Sequence, residues 1–255
     1  MTVPAPVIEV DLGAGVRAGF TTVAAGSLRL APGEPSSAAR ASWARAGRWA
    51  GRPLLFATQV HGRDVVVVDG ATAAAGSVGS YDGLVSADGS AIAVVVADCV
   101  PVLLADADAG VVAAVHAGRS GLVAGVVQAA VAAMVARGAR PGLIRAAIGP
   151  AICGACYEVP ADLRAAVAAV VPATWAQTSW GTPALDLPAG VGAVLAASGI
   201  HDVIRVDACT FTDDRFFSHR RSVRDGAAEA RFGALIRAAA PLPGVSGQRT
   251  PPVPC

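Results

Sequence analysis

Runs of Val, Ile, Leu and Ala, broken by Gly, Asp and Pro, dominate the chain from residue 7 to about 148. Short apolar runs bounded by turn residues read as strands. They predict strands at 7–12, 16–21, 54–59, 65–68, 83–85, 91–97, 102–105, 111–115, 143–148 and 203–206. Apolar residues recurring at helical spacing predict helices at 38–49, 121–137, 161–170, 188–198 and 227–239. Several strands follow one another with no helix between them, which argues against a simple Rossmann alternation and for α and β in mixed layers. The segment Gly13-Ala-Gly-Val-Arg-Ala-Gly19 has glycines at G-x-G-x-x-x-G spacing and leads into extended Phe20-Thr21-Thr22, so it does not read as a dinucleotide loop.

The expected organisation is one domain over residues 1–240 and a flexible tail over 241–255, PLPGVSGQRTPPVPC, which has five prolines and no period. A second loose stretch, residues 31–37, leads into the first helix. With 54% hydrophobic and 15% charged residues among 255, the chain has ample material for a large core. The 58 alanines, 20 arginines and absence of Lys and Asn reflect a compositional skew more than an environment.

Net charge is +1 with no basic block, where a nucleic-acid binder shows a basic stripe. The longest apolar stretch, 122–136, is 15 residues and carries Gln128, short of the roughly 20 that span a bilayer. The N-terminus has no charged segment followed by an apolar one, so no secretory signal is read there. Five cysteines, an odd number, do not form a disulfide framework. The expectation is a cytoplasmic, monomeric enzyme of small molecules, with no nucleic-acid or membrane partner.

Two of the four histidines end apolar runs at a turn: His61 after LLFATQV, and His116 after VVAAV. Between them AIAVVVA ends in Asp98-Cys99-Val100-Pro101. Two imidazoles and a thiolate from three strand ends would make a catalytic type of zinc site, with the fourth position open. The spacing matches no local metal motif, and a strand-end histidine beside a small buried cysteine is the bland alternative. Arg119 follows His116 at the predicted start of a helix, where free N–H groups favour an anion. Cys153-Gly154-Ala155-Cys156 is a lone C-x-x-C and reads as turn packing. Phe216-Phe217 with Arg220-Arg221 is a candidate anion- and base-binding cluster, or a salt-bridged surface loop.

Thr58–Gly62 (TQVHG), Asp82–Ser86 (DGLVS), Val95–Asp106 (VVADCVPVLLAD), Ala113–Gly118 (AAVHAG), Ala147–Val159 (AIGPAICGACYEV) and Phe216–Arg221 (FFSHRR) resemble, in order, the motifs of the YfiH/LACC1 family, long labelled polyphenol oxidases or laccases. The resemblance covers about residues 17–237. It implies a four-layer α/β/β/α sandwich, similar to the catalytic domain of a bacterial cytotoxic deamidase. It places His61, Cys99 and His116 on the family's metal triad, with zinc as the ion and copper as the alternative. It further implies phosphorolysis of adenosine, inosine, guanosine and methylthioadenosine, and deamination of adenosine. Asp98 and Glu158 are then candidates for proton transfer beside Cys99 and His116. With no lysine, phosphate falls to Arg63, Arg119, Arg220 or Arg221.

The chain departs from the family pattern at Arg119-Ser120-Gly121, at Thr21–Ala25 and at Arg220–Gly226, all on the expected substrate rim. Four histidines cannot build both a blue-copper centre and a trinuclear copper cluster, which excludes a multicopper laccase. Two other classes stay open. One is a metal-free cysteine hydrolase or amidase with Cys99 as nucleophile and His116 as base, for which the resemblance implies editing of peptidoglycan precursors. The other is a non-catalytic partner of the cell-division machinery.

Overall fold

The computed structural model describes residues 5–30, 36–68 and 76–239. The expected tail, and most of the loose stretch before the first helix, lie outside them. In chain order the strands are β1 (Val7–Val10), β2 (Val16–Thr21), β3 (Leu54–Thr58), β4 (Val65–Val68), β5 (Gly76–Ser80), β6 (Gly83–Ser86) and β7 (Ala91–Val96). They continue with β8 (Val100–Asp106), β9 (Val111–Ala117), β10 (Arg145–Ile148), β11 (Trp175–Gln177), β12 (Pro183–Leu185), β13 (Asp202–Arg205) and β14 (Phe232–Ala238). The helices are α1 (Ser37–Ala50), α2 (Arg119–Ala124), α3 (Val126–Ala136), α4 (Ala161–Val170), α5 (Leu187–Ala197) and α6 (His219–Asp225).

Two mixed six-stranded sheets stack face to face, ordered β1-β2-β14-β7-β3-β5 and β13-β10-β8-β9-β6-β4. Alternation along each strand assigns its side chains to layers. On β9, Val111, Ala113, Val115 and Ala117 face the helices α2, α3 and α5, while Val112 and Ala114 face the other sheet. On β7, Ala91 and Ala93 pack with Ala46 and Ala50 of α1, while Ile92 and Val94 join the inter-sheet core. The layers therefore run α1, first sheet, second sheet, remaining helices, which is the expected four-layer α/β/β/α sandwich. Strands covered on both faces read as unbroken apolar runs, and this is why their sequences are so uniform.

Two helix expectations are corrected. Residues 227–239 hold a strand, β14, paired antiparallel with both β2 and β7. It is central, so Leu235 faces α1 while Ala234, Ile236 and Ala238 face the second sheet. Burial on both sides erased the alternation, and its Ala, Leu and Arg content mimicked a helix. The predicted helix 121–137 starts earlier, at Arg119, and breaks at Gly125, whose φ of 93° is left-handed. The six-residue α2 is thus separate from α3. Strand β5, the small β11–β12 hairpin and α6 were not predicted; Gly76, Gly79 and Pro183 obscure the strands, and α6 has only 7 residues. The glycines at 13 and 15 serve the β1–β2 turn, with φ of 114° and 74°.

Candidate metal centre

His61, Cys99 and His116 meet where the sheets open at one rim. His116 shares its parity on β9 with Val112 and Ala114, so its side chain points between the sheets. Cys99 lies in the tight turn from β7 to β8, and His61 follows β3. Both turns use backbone conformations that non-glycine residues rarely adopt: φ is 58° at His61 and 80° at Asp98. Such strain persists only where the surroundings over-determine it.

At His61 the constraint is Asp82, fully buried just before β6. Its Oδ1 accepts from the His61 amide at 3.0 Å, and its Oδ2 accepts from the Gly62 amide at 2.7 Å and the Val60 amide at 3.3 Å. The same Oδ1 accepts from His116 Nδ1 at 2.8 Å. One carboxylate therefore holds two of the three candidate ligands and fixes His116 in the tautomer that presents Nε2. A carboxylate behind a ligating histidine is the usual outer support of a metal site. At Asp98 the constraint comes from the end of the chain: its carboxylate accepts from Thr210 Oγ1 at 2.6 Å and from the Arg220 amide at 2.6 Å.

The donor set fits a tetrahedral zinc ion. The three ligand atoms lie within 4.8 Å of one another, and Cys99 Sγ is 3.9 Å from His61 Nε2. Ideal Zn–S and Zn–N bonds would put sulfur and nitrogen about 3.6 Å apart. The two imidazoles meet edge to face at 4.8 Å between centroids. Gly118 forms the floor: a Cβ there would stand 2.8 Å from the His61 ring, 3.3 Å from Cys99 Sγ and 3.6 Å from the His116 ring.

Burial pushes the Cys99 thiol up, but hydrogen bonding with His116 and His61, and their charge, overcome this and bring it down to about 6. Burial pushes the His116 imidazole down, while Asp82 and Cys99 together raise it to about 9. Burial likewise opposes ionisation of Asp82, yet His116 and the amides of Gly62 and His61 hold its carboxyl below the usual range. Without an ion both shifts favour the ion pair, a Cys99 thiolate beside a protonated His116.

The structure gathers some of the sequence candidates here and sends others elsewhere. Arg119 and Arg220 converge on Tyr157, the Arg220 guanidinium 5.5 Å from its ring centroid. Burial and the nearby Cys99 raise the Tyr157 hydroxyl above its ordinary value, and Arg119 and Arg220 only partly offset this. Glu158 is exposed, and its Oε2 accepts from Trp180 Nε1 at 2.7 Å. Arg63 is exposed on the His61 loop. Arg221 is corrected from substrate ligand to loop clamp: its guanidinium donates to the carbonyls of Thr210 at 2.6 Å, Phe211 at 3.3 Å and Asp213 at 3.4 Å, and also to that of Phe216. Phe216 is corrected too, from base-stacking residue to core, since it is fully buried against Phe232.

Sequence reasoning missed Asp82, Tyr157, Arg29 and Arg231. Asp82 and Tyr157 stood inside quoted motifs but were given no role. Arg29 and Arg231 line, with His61, His116 and Gln59, a cavity of about 240 Å³ beside the triad. They lie 202 positions apart in sequence, and only the pairing of β14 with β2 brings them together.

A profile described as multi-copper polyphenol oxidoreductase laccase matches residues 28–238. The chain belongs to this family. It is 51% identical over 214 residues to "Purine nucleoside phosphorylase ORF3" of Streptomyces griseus, covering 82% of this chain and 87% of that one. The crystal structure of a Neisseria meningitidis protein superposes with a TM-score of 0.79 at 31% identity, over 92% of this chain and 100% of the other. That of the Bacillus licheniformis hypothetical protein YfiH gives 0.77 at 26% identity, over 92% of this chain and 97% of the other.

Proposed function

We propose that this chain is a zinc-dependent purine nucleoside phosphorylase that also deaminates adenosine, acting in the cytoplasm. The observation that carries the reading is the His61–Cys99–His116 group braced by Asp82, in a chain 51% identical to a relative named purine nucleoside phosphorylase. Adenosine, inosine, guanosine and methylthioadenosine are the substrates. Free Cys99, Cys153, Cys156 and Cys209 suit a reducing compartment.

In phosphorolysis a phosphate oxygen bonds to the anomeric carbon of ribose as the bond from that carbon to the base breaks. The chain must then hold an anion beside a leaving purine. Arg119 and Arg220 supply guanidinium forks for phosphate, and Arg29 and Arg231 line the second approach. Tyr157 keeps its proton at neutral pH and can donate it to a substrate oxygen. Zinc, when bound, supplies Lewis-acid polarisation of an oxygen atom in the substrate or in water. The multicopper reading is disfavoured by position as well as number: His201 is exposed and His219 pairs with Glu229 at 3.3 Å, so neither joins His61 and His116.

One observation favours a second reading. The Cys99 thiol, brought down to about 6 beside His116, has the poise of a cysteine nucleophile. His61→Ala separates the two. The zinc enzyme loses metal and turnover together, whereas full activity in metal-free His61→Ala protein would promote the cysteine hydrolase. The primary assay is adenosine with and without phosphate, following ribose 1-phosphate, free adenine and inosine. Absence of both adenine and inosine above a Cys99→Ala control removes the nucleoside assignment.

A further inference from the structure

Cys153, Cys156 and Cys209 come together outside the site described above. Strand β10 pairs in parallel with β13, and the pairing resumes beyond both strands as a single bridge from Ala151 to Cys209. The Thr210 amide donates to the Ala151 carbonyl at 3.0 Å and the Ala151 amide to the Ala208 carbonyl at 3.3 Å. This lays Cys209 beside the turn that carries the C-x-x-C, where the amides of Cys156 and Tyr157 both donate to the Cys153 carbonyl at 2.9 Å. The Cys153 amide donates to Cys209 Sγ at 3.5 Å, the kind of contact that stabilises a thiolate. All three sulfurs lie within 4.8 Å of one another, and all three residues are half-buried free cysteines.

We propose that Cys153, Cys156 and Cys209 form a second metal site, which binds a thiophilic divalent cation of the zinc class with water in the fourth position. Zinc–sulfur bonds of about 2.3 Å set sulfurs about 3.8 Å apart around a tetrahedral ion. The 4.8 Å limit therefore requires at most about 1 Å of closure for any pair. A disulfide would join two of the sulfurs and leave the third without a partner. The turn is shaped for close packing: a Cβ on Gly154 would lie 2.8 Å from Asp186 Cβ. The ion would brace the candidate catalytic wall, because Tyr157 follows Cys156 and Thr210, which holds Asp98, follows Cys209. The site uses none of the three ligands of the first centre, so it stands or falls independently of the nucleoside reading.

The test uses the full chain carrying Cys99→Ala and Cys255→Ser, which leaves these three as its only cysteines. Titration of the reduced protein with Co²⁺ is expected to give one ion per chain with a strong thiolate-to-cobalt absorption that Zn²⁺ displaces. Adding Cys209→Ser is expected to weaken binding at least tenfold. In the unaltered protein, Zn²⁺ should slow alkylation of all three cysteines at least tenfold by mass spectrometry, and EDTA should restore it, a readout that does not depend on a variant folding. No thiolate–cobalt absorption, binding indifferent to Cys209→Ser, or unslowed alkylation in the native chain overturns the site.

Discussion

Asp82→Asn is nearly isosteric and isolates what the buried carboxylate does. In the native protein both oxygens accept: Oδ1 from the His61 amide and His116 Nδ1, Oδ2 from the amides of Gly62 and Val60. Asparagine has one acceptor oxygen and one NH₂. If the NH₂ replaces Oδ2, two backbone amides face a donor; if it replaces Oδ1, the His61 amide and the His116 ring do. Each buried donor left unpaired costs about 1–3 kcal/mol. The Val60 contact is long at 3.3 Å and adds little, so the expected destabilisation is about 2–4 kcal/mol. Loss of outer support typically weakens metal binding about 10–100-fold. The Asp82 carboxyl is held below 3.8, so its contribution is present above that value and lost as the pH falls through its lower folded value. The gap between wild type and variant should therefore close in acid. Denaturant unfolding across pH and zinc competition against a chromophoric chelator measure both effects. Wild-type stability at pH 7 together with zinc affinity within twofold of wild type would falsify the assignment of Asp82 as the brace.

Gly118→Ala has a permitted backbone, φ −72°, but its Cβ would crowd all three ligands. It should keep its circular dichroism and lose bound metal; full metal content would show that the triad does not close over Gly118. In metal-free protein the rate of Cys99 alkylation by iodoacetamide should rise through about pH 6 and level off above it, because the thiol is depressed to that value. A midpoint near the ordinary thiol value would remove the His61–His116 influence, and added Zn²⁺ should protect. Arg220→Ala should raise KM for phosphate with little change in unfolding midpoint. Arg221→Ala should lower the midpoint, because the four backbone carbonyls of Thr210, Phe211, Asp213 and Phe216 lose their donor. Reversal of that pattern refutes the division of roles between the neighbouring arginines.

Several features of the site were legible in the residues themselves. His61, Cys99 and His116 each terminate an apolar run, and period-two alternation already sets His116 on the face of Val112 and Ala114. The strands from β6 to β9 were legible for the same reason, since runs of β-branched residues between turn formers have few alternative readings. What stayed hidden depended on which strands become neighbours. β14 looked helical because a central strand covered on both sides shows no alternation, and its alanines fit either structure. Asp82 gained its meaning only when β6 paired with β9 and brought its carboxylate to His116. Adjacent Arg220 and Arg221 are indistinguishable in sequence, yet one points to Tyr157 and the other is consumed by loop carbonyls. Cys209 reaches the C-x-x-C turn only because β13 lies parallel to β10. Local pattern is set by short-range sterics and periodic burial, so a sequence carries it directly. Contacts between residues 34 to 202 positions apart depend on strand order, and only the folded sheets decide them.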